Sequence, residues 1–87
     1  MRSKEIVNVK ELTRVLERPG IKDLTINSKF SYPSKSIDIT KINKPKQVVD
    51  QVLDYAENFP HSQVVVLVNV VSQTNVNVMV SPVVGSA

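Results

Sequence analysis

The chain has 87 residues, a formal net charge of +3 and no cysteine. These values predict one compact domain over residues 1–87, without disulfides, thiolate metal ligands or a cysteine nucleophile. The single histidine, His61, offers little for a metal site or a Ser-His-Asp triad, so we expect no enzyme, no cofactor and no metal. The first residues lack the apolar run of a signal peptide, and a reducing, cytoplasmic compartment is expected.

Charge is distributed unevenly along the chain. Residues 2–46 hold all eleven Lys and Arg residues, together with five of the eight acidic ones. Residues 47–87 hold the three other acidic residues and no basic residue. Such segregation indicates a functional polarity, either a basic surface for a polyanion or complementary faces within an oligomer.

The first predicted elements are a short strand and a helix. Lys4 to Val7 is a candidate strand, and a helix is predicted from Val9 to about Arg18. Asn8 is expected to cap this helix, with Glu11 reaching back in a capping box. The pair Pro19-Gly20 cannot continue the helix and so ends it.

Two alternating segments follow the helix. Ile21 to Phe30 and Ser36 to Ile42 both alternate apolar and polar residues, with Ile37 and Ile39 predicted to point inward. The intervening Ser31 to Lys35 contains a proline and is typical of a turn. We therefore predict an antiparallel hairpin with a five-residue loop.

A second helix is predicted from Gln47 to Phe59, because Pro45 suits its start and Pro60 suits its end. Its apolar face consists of Val48, Val49, Val52, Leu53, Ala56 and Phe59. Its polar face carries Asp50, Asp54 and Glu57. Carboxylates are ligands for Mg²⁺ or Ca²⁺, but this spacing splays them along an exposed helix. We predict a solvated face, or an electrostatic counterpart to the basic residues of a neighbouring subunit.

The segment Gln63 to Val80 is uncharged and rich in valine. A membrane-spanning helix needs about twenty mostly apolar residues, whereas four polar residues, Ser72 to Asn75, lie at the centre of this segment. Period-two alternation on both sides of that polar cluster predicts two strands joined by a turn. Pro82 is expected to end the second strand, and residues 82–87 to form a loose tail.

The predicted order is (β)αββαββ, an α+β class domain with two helices on one face of a mainly antiparallel sheet. Without its last strand, the order matches the split βαβ arrangement of ferredoxin-like folds, with the last strand added at the edge. Without the first strand, the order is that of a circularly permuted relative. Folds of this kind have unrelated functions, so the fold does not identify an activity.

The register of the valine-rich hairpin determines which residues share a face. A three-residue turn, Ser72 to Thr74, segregates the valines best. It places on one face Val64, Val66, Val68, Val70, Val76, Val78 and Val80, which form the predicted core under the helices. It places on the other face Val65, Leu67, Asn69, Val71, Asn75, Asn77, Met79 and Ser81.

This second face is apolar in part and carries no charge. The face is uncharged, and its strands carry no lysine or inward charge that would discourage pairing at their edges. Both features indicate that a partner covers the face, most simply a second copy of the chain. The predicted oligomer interface consists of Val65, Leu67, Asn69, Asn77 and Met79. The alternative is that the residues from Pro82 to Ala87, or the N-terminus, fold over the face.

A basic set of residues supports a different hypothesis. The candidate nucleic-acid contacts are Lys10, Arg14 and Arg18 on the first helix and Lys29, Tyr32 and Lys35 at the first hairpin. Cations contact phosphates and an exposed tyrosine stacks on bases. However, a charged helix face is usually a solvated face, and Ser36 to Ile42 lacks the stacking aromatics of RNA-recognition strands.

These patterns favour a non-catalytic interaction and assembly module that self-associates through the C-terminal hairpin. The alternative is a small basic nucleic-acid-binding protein that uses the N-terminal half. The sequence indicates no membrane contact. It also indicates no small-molecule substrate, because its two glycines are too few for a phosphate-binding loop.

Overall fold

The computed structural model describes residues 5–29 and 32–83. Within them, five strands form one sheet in the order β1-β4-β5-β2-β3. In chain order the elements are β1 (Glu5–Val7), α1 (Val9–Leu16), β2 (Asp23–Ser28), β3 (Lys35–Asp38), a 3₁₀ turn (Ile39–Lys41), α2 (Lys46–Ala56), β4 (Gln63–Val70) and β5 (Asn75–Pro82). The α+β class, with two helices and the predicted sequence of elements, is confirmed.

The sheet is mixed, so the predicted mainly antiparallel, ferredoxin-like arrangement is matched only in part. β2 pairs antiparallel with β3, and β4 antiparallel with β5, whereas β1 pairs parallel with β4 and β2 parallel with β5. The prediction that the last strand is added at the edge is wrong, because β5 lies between β4 and β2. A long strand in this position has its backbone groups satisfied on both sides. The three-residue β1 lies at the edge instead.

The predicted register of the β4–β5 hairpin is confirmed. Val70 pairs with Val76 and Val66 pairs with Val80, so that residues of equal parity face each other across a three-residue turn. Five of the seven predicted core valines are fully buried: Val64, Val66, Val76, Val78 and Val80. Val68 is half-buried. Val70 is 37% exposed, which corrects its assignment to the core; it lines a groove at the end of β4.

One hydrophobic cluster lies between this face of the sheet and the helices. α1 contributes Leu12, Val15 and Leu16, and α2 contributes Val48, Val52, Tyr55 and Ala56. The sheet and its connections contribute Ile21, Leu24, Ile26, Ile37, Ile39 and Phe59 in addition to the five valines. Each large aliphatic side chain that is removed from water contributes about 1.5–3 kcal/mol before the entropy of ordering is subtracted.

The predicted capping box at α1 is wrong. Asn8 does occupy the N-cap position, but with a left-handed backbone (φ 76°) and no side-chain bond to the helix. Its Nδ2 donates instead to the Val66 carbonyl oxygen of β4, at 2.9 Å. Glu11, the other residue of the predicted box, pairs with Arg14 at 3.4 Å on the helix surface. Asparagine tolerates this left-handed conformation better than most residues.

The first hairpin is antiparallel as predicted, although Phe30 and Ser31 lie outside the described residues. β3 is shorter than predicted, because the Asp38 side chain accepts hydrogen bonds from the Thr40 backbone N–H (3.1 Å) and hydroxyl (2.6 Å). These two bonds turn the chain into the 3₁₀ turn. Ile37 and Ile39 are nevertheless both buried, as predicted.

Aromatic side chains connect the first hairpin to the end of α2. Tyr55 Oη donates to the Pro33 carbonyl oxygen at 3.0 Å, and Tyr32 Oη donates to the Asn58 carbonyl oxygen at 2.5 Å. The Tyr32 ring stacks on Phe59 with centroids 5.2 Å apart. The sequence pattern did not place Tyr55 in the core, because its hydroxyl group needs a partner when the ring is buried. Pro33 provides that partner.

The valine-rich segment forms the hairpin β4–β5, as predicted. Among the described residues, neither helix is long and apolar enough to cross a membrane. Pro82 is the last residue of β5 and pairs with Val64. The predicted tail, residues 82–87, therefore does not begin at Pro82, and residues 84–87 lie outside the described part of the chain.

Because the β2–β5 pair lies at the centre of the sheet, truncating a buried side chain there should lower the free energy of unfolding strongly. Ile26 is fully buried and pairs with Val78, so Ile26→Ala should lower the free energy of unfolding by about 2–5 kcal/mol. Ser36→Ala is the control: Ser36 is exposed and pairs with Thr25, on the face opposite Ile26, and its truncation should change stability by less than about 0.5 kcal/mol. Urea denaturation measures both. Equal effects of the two variants would contradict the assignment of the two faces.

Candidate interaction surface

The face of the sheet opposite the helices is called the open face here. Its residues share one parity along the neighbouring strands. They are Val65, Leu67 and Asn69 of β4, Val71 just after β4, Asn75, Asn77 and Met79 of β5, and Asp23, Thr25 and Asn27 of β2, with Glu5 and Val7 of β1 beside Gln63 and Val65. The charged Glu5 and Asp23 lie at the margins of this face, outside the hairpin. Leu67 is 43% exposed and Val71 is 59% exposed. β4, β5 and the turn between them contain no charged residue.

Rows of side chains cross the open face from strand to strand. Leu67 lies opposite Met79, which in turn lies beside Asn27, and the next row runs from Asn69 through Asn77 to Thr25. Asn27 Nδ2 donates to Asn77 Oδ1 at 2.6 Å, so these two amides are partly satisfied within the chain. The apolar part of the face therefore lies at its β4 side, and the polar part continues onto β2.

The structure brings the five predicted interface residues together on this face. Leu67 and Asn69 are exposed, while Val65, Asn77 and Met79 are half-buried. Ser81 departs from the expected exposure of this face: it is 3% exposed, and its hydroxyl donates to the Pro82 carbonyl oxygen at 3.1 Å. Val7 adds an apolar residue that sequence reasoning missed, because only the parallel pairing of β1 with β4 places it beside Val65.

The described N-terminal residues do not cover the open face. Glu5–Val7 lies beside β4 as a strand in the sheet, and Pro82 continues β5. Residues 1–4 and 84–87 lie outside the described part of the chain. Leu67 and Val71 are thus exposed to solvent in the described part of a single copy.

The predicted nucleic-acid contacts fall into two groups, one on α1 and just after it and the other at the end of β2. Lys10, Arg14 and Arg18 are exposed on α1 and just after it, and Arg18 lines a groove near the start of β2. Lys29 and Lys35 are exposed at the other end of that strand. A six-residue strand spans about 20 Å. A ligand that contacts Arg18 together with Lys29 or Lys35 must therefore extend along β2, about 20 Å.

Tyr32 is engaged within the chain. Its ring stacks on Phe59 and its hydroxyl group bonds to Asn58, which leaves the side chain 38% exposed. Stacking on a nucleic-acid base requires a free ring face. One face of this ring is occupied by Phe59.

A groove of about 560 Å³ lies between the α1–β2 connection and the β4–β5 turn. It is lined by Arg18, Pro19, Gly20, Ile21, Lys22, Val70, Ser72, Gln73 and Thr74. The Lys22 backbone N–H donates to the Thr74 carbonyl oxygen at 2.8 Å, which holds the two walls together. The lining combines two cations with hydroxyl and amide groups and contains no acidic residue or histidine.

No catalytic arrangement stands out in the described residues. No three of their Asp, Glu or His side chains converge in a way that could hold a metal ion. The pKa of Asp38 is lowered by its hydrogen bonds from the Thr40 hydroxyl and backbone N–H. That carboxylate caps the 3₁₀ turn, a structural role.

Comparison with known proteins finds no family model, no curated protein and no solved structure that matches this chain.

Proposed function

We propose that this chain is a non-catalytic assembly module that associates with a second copy through the open face of its β4–β5 hairpin. The observation that carries the proposal is the exposure of Leu67 (43%) and Val71 (59%) on a hairpin that contains no charged residue. An exposed sheet face usually carries charged or hydroxyl side chains, and exposed aliphatic residues on the same face indicate an interaction site.

The interface of this proposal consists of Val65, Leu67, Asn69, Asn77 and Met79. A second copy is the simplest occupant, because a two-fold axis brings the same neutral surface onto itself without an unpaired charge. The single helix–sheet core of an 87-residue chain is small, and burial between copies adds to its stability. A cytoplasmic location, which suits a chain without cysteine, belongs to the same proposal.

Nucleic-acid binding is the second candidate function. Lys10, Arg18, Lys29 and Lys35 are exposed, and their side chains form no ion pair within residues 5–29 and 32–83. Free cations of this kind attract phosphates. The two functions are compatible if the oligomer brings the basic groups of both copies onto one surface.

A lysine on the open face tests self-association. Leu67→Lys places a charge at the proposed interface and should raise the dissociation constant of the dimer about tenfold or more, about 1.4 kcal/mol. Sedimentation velocity over a concentration series measures this. Ser36→Lys is the matched control, since Ser36 is exposed on β3 at the far edge of the sheet, and it should leave the mass unchanged. A wild-type chain that stays monomeric at high micromolar concentration would exclude the proposal.

Charge reversal tests nucleic-acid binding. The double variant Arg14→Glu with Lys35→Glu should weaken binding to a labelled single-stranded oligonucleotide and flatten its dependence on salt, because fewer counterions are released. Fluorescence anisotropy at several salt concentrations provides the measurement. Lys41→Glu with Lys46→Glu, two exposed lysines outside the predicted contacts, makes the same change in net charge and is the control for a general effect of charge. Absence of binding by the wild type at low salt would remove this candidate.

A further inference from the structure

The outer edge of β4 is open over its second half. β1 pairs with β4 only from Gln63 to Val65, and the Asn8 side chain then bonds to the Val66 carbonyl oxygen. Beyond Val66, no strand or side chain among the described residues pairs with this edge. A strand edge of this kind presents unpaired backbone donors and acceptors, which recognise another extended chain.

The residues that offer these groups follow from the hydrogen-bond pattern. Val71 donates to the Asn75 carbonyl oxygen at 3.0 Å, so the odd-numbered residues of β4 bond to β5. In an antiparallel ladder the residues between them point their N–H and C=O groups the other way. The bonds that Ser62 and Val66 accept on the β1 side agree with this alternation. Val68 and Val70 therefore direct their backbone groups to the open edge.

We infer that two copies join through this edge, β4 against β4, antiparallel about a two-fold axis at Asn69. The inference rests on the self-association of the proposed function but places the contact at the edge of β4 in place of the open face, so that Leu67 and Asn69 are the proposed interface residues at the contact. In this arrangement Val68 and Val70 of one copy form hydrogen-bonded pairs with Val70 and Val68 of the other. These two pairs supply about four backbone hydrogen bonds, and the sheets of both copies become continuous.

Side chains select this register over its neighbours. On the open face, Leu67 of one copy lies opposite Val71 of the other, and the same contact recurs across the axis. On the helix side, Val70 meets Val68. The three most exposed hydrophobic residues of β4 and the residue after it, Leu67 (43%), Val70 (37%) and Val71 (59%), thus all acquire an apolar partner. Shifting one copy by two residues toward Val66 brings its strand against the Asn8 side chain, and shifting it by two residues the other way places Leu67 opposite Gln73 instead of Val71.

The chemistry of the edge favours a second copy over an unrelated peptide. β4, the turn and β5 carry no charge, so two β4 edges meet without repulsion and without removing a charge from water. The only side chain that meets itself across the axis is Asn69, whose amide both donates and accepts.

Single cysteines test this geometry, because the natural chain has none. Asn69→Cys places two cysteines in a non-hydrogen-bonded pair with Cα atoms about 4.5 Å apart, within the range of about 4.4–6.8 Å that a disulfide spans. Oxidised glutathione should convert this variant to a covalent dimer much faster than the same variant in urea. Asn77→Cys is the matched control, since it lies one strand further in. Its two copies are separated by three strand spacings of about 4.8 Å each, and it should remain uncrosslinked.

Each outcome separates the edge arrangement from self-association itself. Rapid crosslinking of Asn69→Cys alone supports the edge pairing. Crosslinking of Asn77→Cys as fast as that of Asn69→Cys would overturn it in favour of packing between open faces, with self-association retained. A wild-type dimer by mass with neither variant crosslinking would likewise overturn the edge arrangement alone. A monomeric wild type, with Asn69→Cys no faster than in urea, would overturn both.

Discussion

The three-residue turn between β4 and β5 controls the arrangement of side chains in this protein. Because the turn has an odd number of residues, Val66 lies opposite Val80 and Leu67 opposite Met79. An even-numbered turn would have mixed asparagines with valines on both faces and left no uniformly apolar face for the helices. The core under α1 and α2 depends on this pairing, and so does the uncharged surface of the hairpin on the other side.

The same pairing explains why helices cover one face of the sheet and not the other. α1 and α2 both pack on the face of the fully buried valines, and α1 follows β1 after a single residue, Asn8. The short β1 and the Asn8 side chain occupy the edge of β4 only as far as Val66. The exposed aliphatic residues of the open face and the unpaired backbone of Val68 and Val70 therefore lie next to each other, on the same half of β4. A partner strand at this edge hydrogen-bonds to the backbone of Val68 and Val70 and also contacts the exposed Leu67 and Val71.

Local patterns predicted much of the fold, because they report on side-chain period and turn chemistry. Alternation identified the strands, the polar cluster Ser72 to Asn75 identified the turn, and parity identified the buried valines. Long-range pairing was not predictable in this way. Nothing local distinguishes a valine-rich edge strand from a valine-rich central one, and so β5 was misplaced. Asn8 was misassigned for a related reason: its amide bonds to a strand 58 residues away instead of to its own helix.

The candidate surface followed from the sequence only in part. The residues of the open face could be grouped by parity alone, since side chains alternate strictly along a strand. The free edge could not, because it depends on where β1 ends relative to β4. The basic residues could be counted in the sequence, but their separation by the length of β2 and the stacking of Tyr32 on Phe59 arise from tertiary structure.

Hydrogen exchange at individual β4 amides, measured over a range of protein concentrations, tests the pairing of two copies most directly. The Leu67 and Asn69 amides bond to β5 within one copy, and their protection should be present at every concentration. The Val68 and Val70 amides face the edge, and their protection should appear only as the dimer forms. Rapid exchange of Val68 and Val70 that does not slow at any concentration would contradict the pairing of β4 with a second copy.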